Sequence, residues 1–68
     1  MLTVFGKANC SNCEKLKNIL NNKGIEFEYI ESMKELRIAA SKARAMSAPV
    51  VKLDDKYMSM NDYLEEVE

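Results

Sequence analysis

The chain has 68 residues, 47% of them apolar and 31% charged, with a formal net charge of −1. A chain of this length has room for one hydrophobic core, so residues 1–68 are expected to form a single domain of modest stability. Lysines and arginines are interleaved with acids and form no basic stripe, which argues against a nucleic-acid partner, and no apolar run approaches the roughly 20 residues that cross a bilayer.

Leu2-Thr3-Val4-Phe5 is β-prone, ends at Gly6 and reads as a buried strand. The segment from Met1 to Phe5 lacks the basic region and the longer apolar run of a secretory signal. A cytoplasmic location is therefore expected, where thiols are normally kept reduced. The polar loop Lys7-Ala8-Asn9-Cys10-Ser11-Asn12-Cys13 follows, rich in residues that start helices. From Ser11 to Lys23 the apolar positions Cys13, Leu16, Ile19 and Leu20 recur at gaps of three and four, one face of an amphipathic helix. Gly24 is placed to end it, because glycine accepts the left-handed conformation after a last turn.

Ile25-Glu26-Phe27-Glu28-Tyr29-Ile30 alternates apolar and acidic residues, as a second strand would. Strand, helix and strand imply a right-handed βαβ unit with parallel strands. A second helix is expected from Met33 to Met46, with Leu36, Ala39, Ala40, Ala43 and Met46 on one face and both methionines as core fillers. The Lys15/Lys17/Lys23 set and the Lys34–Arg44 stretch read as solvated helix faces. Ser47-Ala48-Pro49 ends the second helix, since proline pushes its predecessor out of the helical region. Val50-Val51-Lys52-Leu53 and Lys56-Tyr57-Met58 flank Asp54-Asp55, a tight hairpin. Ser59, with Asp62 three residues on, resembles an N-cap for a last helix carrying Tyr63, Leu64 and Val67. The expected order is β-α-β-α-β-β-α.

Cys10 and Cys13 carry the chemical signal. A Cys-x-x-Cys pair after a strand, at the opening of a helix and inside a βαβ unit, is the context in which this motif does redox work. The first helical turn has unpaired N–H groups and a partial positive charge, and both stabilise a thiolate. Lys7 adds a cation nearby. Cys10 lies at the loop edge, where a substrate disulfide can reach it, and is the expected nucleophile. Cys13 lies one turn in, on the face of Leu16 and Leu20, and is expected to resolve the mixed disulfide. A structural disulfide here would close a very small loop and constrain the unfolded chain little. A zinc site needs about four ligands, and the chain has two cysteines and no histidine; no metal site is expected within one chain. Buried cysteines without a chemical role are the plain alternative. A binding module without redox turnover, or a carrier of metal or an iron–sulfur cluster through the same cysteines, is the functional alternative.

The strand, Lys7-x-x-Cys10-Ser11-Asn12-Cys13, the helix and then Ala48-Pro49-Val50-Val51 together resemble the small glutaredoxins. They are similar as well to the glutaredoxin-like electron donors of ribonucleotide reductase. The resemblance implies a minimal α/β thioredoxin-like fold, a four-stranded mixed sheet with two helices on one face and one on the other. It implies a role in electron transport and cell redox homeostasis, through disulfide reduction in a protein partner or in glutathione mixed disulfides. It also implies a cis peptide at Pro49 beside the cysteine pair, with the Ala48 backbone pairing with bound peptide or glutathione as an added strand. Lys7 matches a lysine that contacts the glutathione carboxylate. Asn12 stands where glutaredoxins commonly carry an aromatic residue. Ser59-Met60 stands where they carry Gly-Gly, with Asn61 following, so side chains crowd that side. Lys7, Asn12, Ala48, Pro49, Met60 and Asn61 are thus the expected substrate- or glutathione-binding set, with Tyr57, Met58 and Met60 as an apolar rim. The resemblance implies no bound cofactor, glutathione as a co-substrate, glutathione or a thioredoxin reductase as reductant, and a monomer.

Overall fold

β1 (Leu2–Gly6), β2 (Phe27–Glu31), β3 (Val50–Leu53) and β4 (Lys56–Ser59) form one sheet in the order β2-β1-β3-β4, accompanied by α1 (Ser11–Asn22), α2 (Met33–Ala43) and α3 (Met60–Val67). These elements are seen in a computed structural model that describes residues 2–46 and 48–67. The parts expected of Ser47 in ending the second helix and of the Val67 side chain in the last one lie outside the described residues. β1 runs parallel to β2, Val4 opposite Tyr29, and antiparallel to β3, Val4 opposite Val51. The β3–β4 hairpin places Leu53 opposite Lys56 across Asp54-Asp55, and Asp54 takes the left-handed conformation at φ 56°. The sheet is therefore mixed, in the thioredoxin-like arrangement.

Alternation along the strands divides the core between two faces. Leu2, Val4, Val51 and Met58 meet Leu16 and Leu20 of α1 and Tyr63 of α3 on one side. Phe5 and Val50 meet Leu36 and Ala39 of α2 on the other, where Cys13 and Ala48 join them. Cys13 thus sits where α1 begins, at the seam between the two halves.

Both long helices end with the same pair of hydrogen bonds. After α1, the Gly24 N–H donates to Asn21 O at 3.1 Å and the Ile25 N–H to Leu20 O at 3.0 Å, with Gly24 at φ 70°. After α2, the Arg44 N–H donates to Ser41 O at 3.3 Å and the Ala45 N–H to Ala40 O at 2.9 Å, with Arg44 at φ 56°. These are Schellman closures, and they correct two expected boundaries. Ile25 is committed to α1, so β2 begins at Phe27 instead of Ile25. Arg44 leaves the helix, so Met46 is not on α2 and is fully exposed, and Met33 at the first turn is 54% exposed. Neither methionine fills the core.

The opposite end of α2 is closed by Ser32, whose Oγ accepts the Glu35 N–H at 3.4 Å. Ser32→Ala is expected to cost about 1 kcal/mol and Ser32→Gly only a few tenths, measured by urea denaturation. Ser59 closes α3 in the same way, accepting the Asp62 N–H at 3.2 Å as expected.

Candidate active site

The chain leaves β1 at Gly6 and turns through Asn9, which holds φ 55°. Asparagine tolerates this left-handed conformation better than most side chains. Cys10 then takes an extended conformation, φ −111° and ψ 112°, and becomes the N-cap of α1. Its carbonyl accepts the Glu14 N–H at 3.2 Å, and its Sγ accepts the Cys13 N–H at 3.3 Å. A cysteine sulfur thus occupies the place of the serine or aspartate oxygen that usually caps a helix.

The electrostatic consequence follows from that placement. Burial of the sulfur opposes ionisation of Cys10. The Cys13 thiol, the Cys13 and Asn12 amides and the Lys7 ammonium outweigh it together, so Cys10 titrates below its ordinary value. For Cys13, burial pushes the thiol up, and donating its proton to the Cys10 sulfur pushes it further. The Lys7 amide and the Tyr29 hydroxyl act in the opposite direction without cancelling this. Both cysteines are free thiols, Cys10 partly exposed and Cys13 wholly buried. One sulfur is activated and reachable, while its neighbour is protonated and held in reserve.

A cleft of about 260 Å³ lies beside the pair, lined by Asn12, Arg44, Ala45, Met46, Ala48, Pro49, Ser59, Met60 and Asn61. It brings together five of the six residues expected to bind substrate. Asn12 links it to the cysteines, since its amide is among the groups that lower the Cys10 thiol. The Ala48–Pro49 peptide is cis, and Ala48 packs in the cluster that holds Cys13, with Cys10 against it. Lys7 is the exception. It lines a separate depression with Met33, Leu36, Arg37 and Ala40, and Met46 and Ala48 border both. Cys10 itself opens onto a shallow surface with Asn9, Ser11 and Glu14.

The expected rim is only partly there. Met60 lines the cleft, but Tyr57 and Met58 do not. Neighbours on β4 point to opposite faces. Tyr57 stacks on Phe5 at 6.4 Å between ring centres, under Lys42 and Lys52, and Met58 is buried against α1 and α3. In exchange, Arg44 and Met46 enter the lining because the left-handed turn at Arg44 folds the chain back over the site. Among the described residues, no three cysteine or carboxylate side chains gather where they could hold a metal ion, and no helix is long and apolar enough to cross a membrane.

The Glutaredoxin family model matches residues 2–58. A glutaredoxin from Archaeoglobus fulgidus, known from a crystal structure, is similar in fold, with a TM-score of 0.72 at 24% sequence identity. The match covers 96% of this chain and 82% of that one. No sequence match is found among curated proteins.

Proposed function

The chain belongs to the glutaredoxin family, a family of thiol–disulfide oxidoreductases, and from that premise we propose that it is a dithiol donor working through Cys10 and Cys13. The observation that carries this reading is the sulfur of Cys10 serving as the N-cap of α1. The Cys10 thiolate attacks one sulfur of a substrate disulfide and expels the other as a thiolate, which takes a proton from water, leaving a mixed disulfide on Cys10. Cys13 then loses its proton and attacks the Cys10 sulfur. The bond from Cys10 to the substrate breaks, and the second substrate sulfur leaves and takes up a proton. The cysteine pair gives up two electrons to the two substrate sulfurs; the two protons those sulfurs take up from water balance the one that Cys13 loses and the one that Cys10 released on ionising.

The cleft supports a substrate that extends past Cys10 along Ala48 and Pro49. A peptide or glutathione backbone would pair with Ala48 there, flanked by Asn12, Met60 and Asn61. Disulfides of a protein partner, ribonucleotide reductase among them, and glutathione mixed disulfides are the proposed substrates, handled by a monomer in the cytoplasm. Met60 and Asn61 put side chains into the lining of the groove, and Lys7 lies outside it. A protein disulfide is therefore favoured over free glutathione as the substrate.

Oxidation of the pure protein is expected to remove two hydrogens, read by intact mass, and a dithiol restores them. The oxidised protein is then given glutathione, or a thioredoxin reductase with NADPH. Reduction by either one names the physiological class of reductant. Failure to form the internal disulfide under mild oxidation would remove the dithiol reading.

A further inference from the structure

One side chain at the cysteine pair has no place in the scheme above. Tyr29 is on β2, opposite Val4 of β1, so Gly6 is its diagonal neighbour on the same face. A Cβ on Gly6 would meet the Tyr29 hydroxyl, Cζ and Cε1 well inside van der Waals contact, the two carbons at 2.8 and 2.9 Å. The missing side chain is therefore the space the tyrosine occupies. From there Tyr29 packs against the cluster that holds Cys13, and its hydroxyl is among the groups that pull the Cys13 thiol down. Lys17, one turn beyond Cys13 on α1, holds its Nζ 4.3 Å from the centre of the tyrosine ring and 2.9 Å from a Glu14 carboxylate oxygen. Gly6 and Lys17 thus both lie against the ring.

We propose that Tyr29 is the hydrogen-bond donor to the resolving sulfur, placed over Gly6 so that its hydroxyl holds Cys13 as the nucleophile of the second step. This rests on the dithiol reading above. The charged and titratable groups facing the pair are Cys10, Lys7, Lys17 and Glu31. The elements packed around Cys13 otherwise present Phe5, Leu36, Ala39, Ala48 and Val50. Burial and the neighbouring thiols raise the Tyr29 phenol, with Glu31 adding to them, so it stays protonated and donates. While Cys10 is an anion, it keeps the proton on Cys13 by accepting from it. Once Cys10 is tied in a mixed disulfide, that anion is gone. The Lys7 amide and the Tyr29 hydroxyl remain, and both favour a thiolate at Cys13. The tyrosine thus acts on resolution and leaves the first attack alone.

The test uses Cys10→Ser protein, in which Cys13 is the one remaining cysteine, labelled with ¹³C at Cβ and titrated by NMR. Adding Tyr29→Phe is expected to raise the midpoint by about one pH unit, a tenfold loss of thiolate at a given pH, as befits a hydrogen bond to a charged group. Gly6→Ala, which keeps the phenol but displaces it, is expected to shift the midpoint the same way. In protein with both cysteines, Tyr29→Phe is expected to slow release of a mixed disulfide about threefold, since the more basic sulfur is also the stronger nucleophile, and leave its formation unchanged. An unmoved midpoint in Tyr29→Phe, or a moved midpoint with unchanged release, overturns the proposal. The titration needs no substrate, so it decides the tyrosine's bond even if the unsubstituted chain reduces no disulfide, the result that would instead overturn the dithiol reading.

Discussion

Cys10→Ser is expected to reduce disulfide turnover to the uncatalysed background, while Cys13→Ser completes the first attack and stops as a mixed disulfide on Cys10. The two variants separate the halves of the reaction because the two sulfurs differ in environment. Cys10 is ionised more readily than a free thiol by the amides of α1 and by Lys7. A hydroxyl in its place stays protonated and is a far weaker nucleophile. Loss of fold does not explain the result, since serine is among the best N-cap residues and would accept the Cys13 N–H that the sulfur now accepts. The melting temperature of Cys10→Ser is expected to match or exceed that of the parent. Serine at position 13 fits the buried space of the thiol, beside the Lys7 amide and the Tyr29 hydroxyl that favour ionisation there. Mass spectrometry after mixing with a disulfide substrate checks both arms. A Cys10→Ser protein that still turns over would show that Cys10 is not the nucleophile. The sign of the pH dependence follows from the same geometry. The lowered titration of Cys10 means that its attack rate holds up below the ~8.5 of an ordinary cysteine and falls only as pH drops through the lower value.

Much of this site is legible in the sequence, because its logic is local. A Cys-x-x-Cys at a helix start needs only the strand before it and the apolar spacing after it to place one sulfur out and one in. Other features depend on what the chain does further away. The end of α1 could be read from Gly24, but the end of α2 makes the same closure with Arg44, which carries no such signal. The periodicity of α2 therefore points one turn too far, toward a core that Met46 never reaches. Hydrophobicity gathers Tyr57 and Met58 of β4 with Met60 of α3 into one rim, but alternation sends the first two to opposite faces of the sheet. Tyr29 is the clearest case. In sequence it is one apolar residue of an alternating strand. Its approach to Cys13 arises only when β2 is set in register against β1 and Gly6 leaves room for the ring.

Leu16→Ala is expected to be the most damaging of the stability variants. Leu16 is wholly buried on α1, in one cluster with Leu2, Val4, Leu20, Val51, Met58 and Tyr63. That cluster joins α1 and α3 to β1, β3 and β4, so a cavity there is felt by five elements. Removing a buried leucine side chain costs about 3 kcal/mol where the surroundings collapse only partly. A chain of this length is stabilised by roughly 3–10 kcal/mol in all. The variant therefore loses between a third and the whole of its stability, and its melting temperature drops by roughly 10–25 °C. Met33→Ala and Met46→Ala are the controls, since both side chains are exposed, and each is expected to fall within about 0.5 kcal/mol of the parent. Circular dichroism melts of the three variants side by side test the assignment of the core. A Leu16→Ala protein melting within a few degrees of Met46→Ala would mean that α1 is not packed on the sheet through this residue. The first turn of α1, which presents the Cys10 sulfur, would then lack the support on which its chemistry depends.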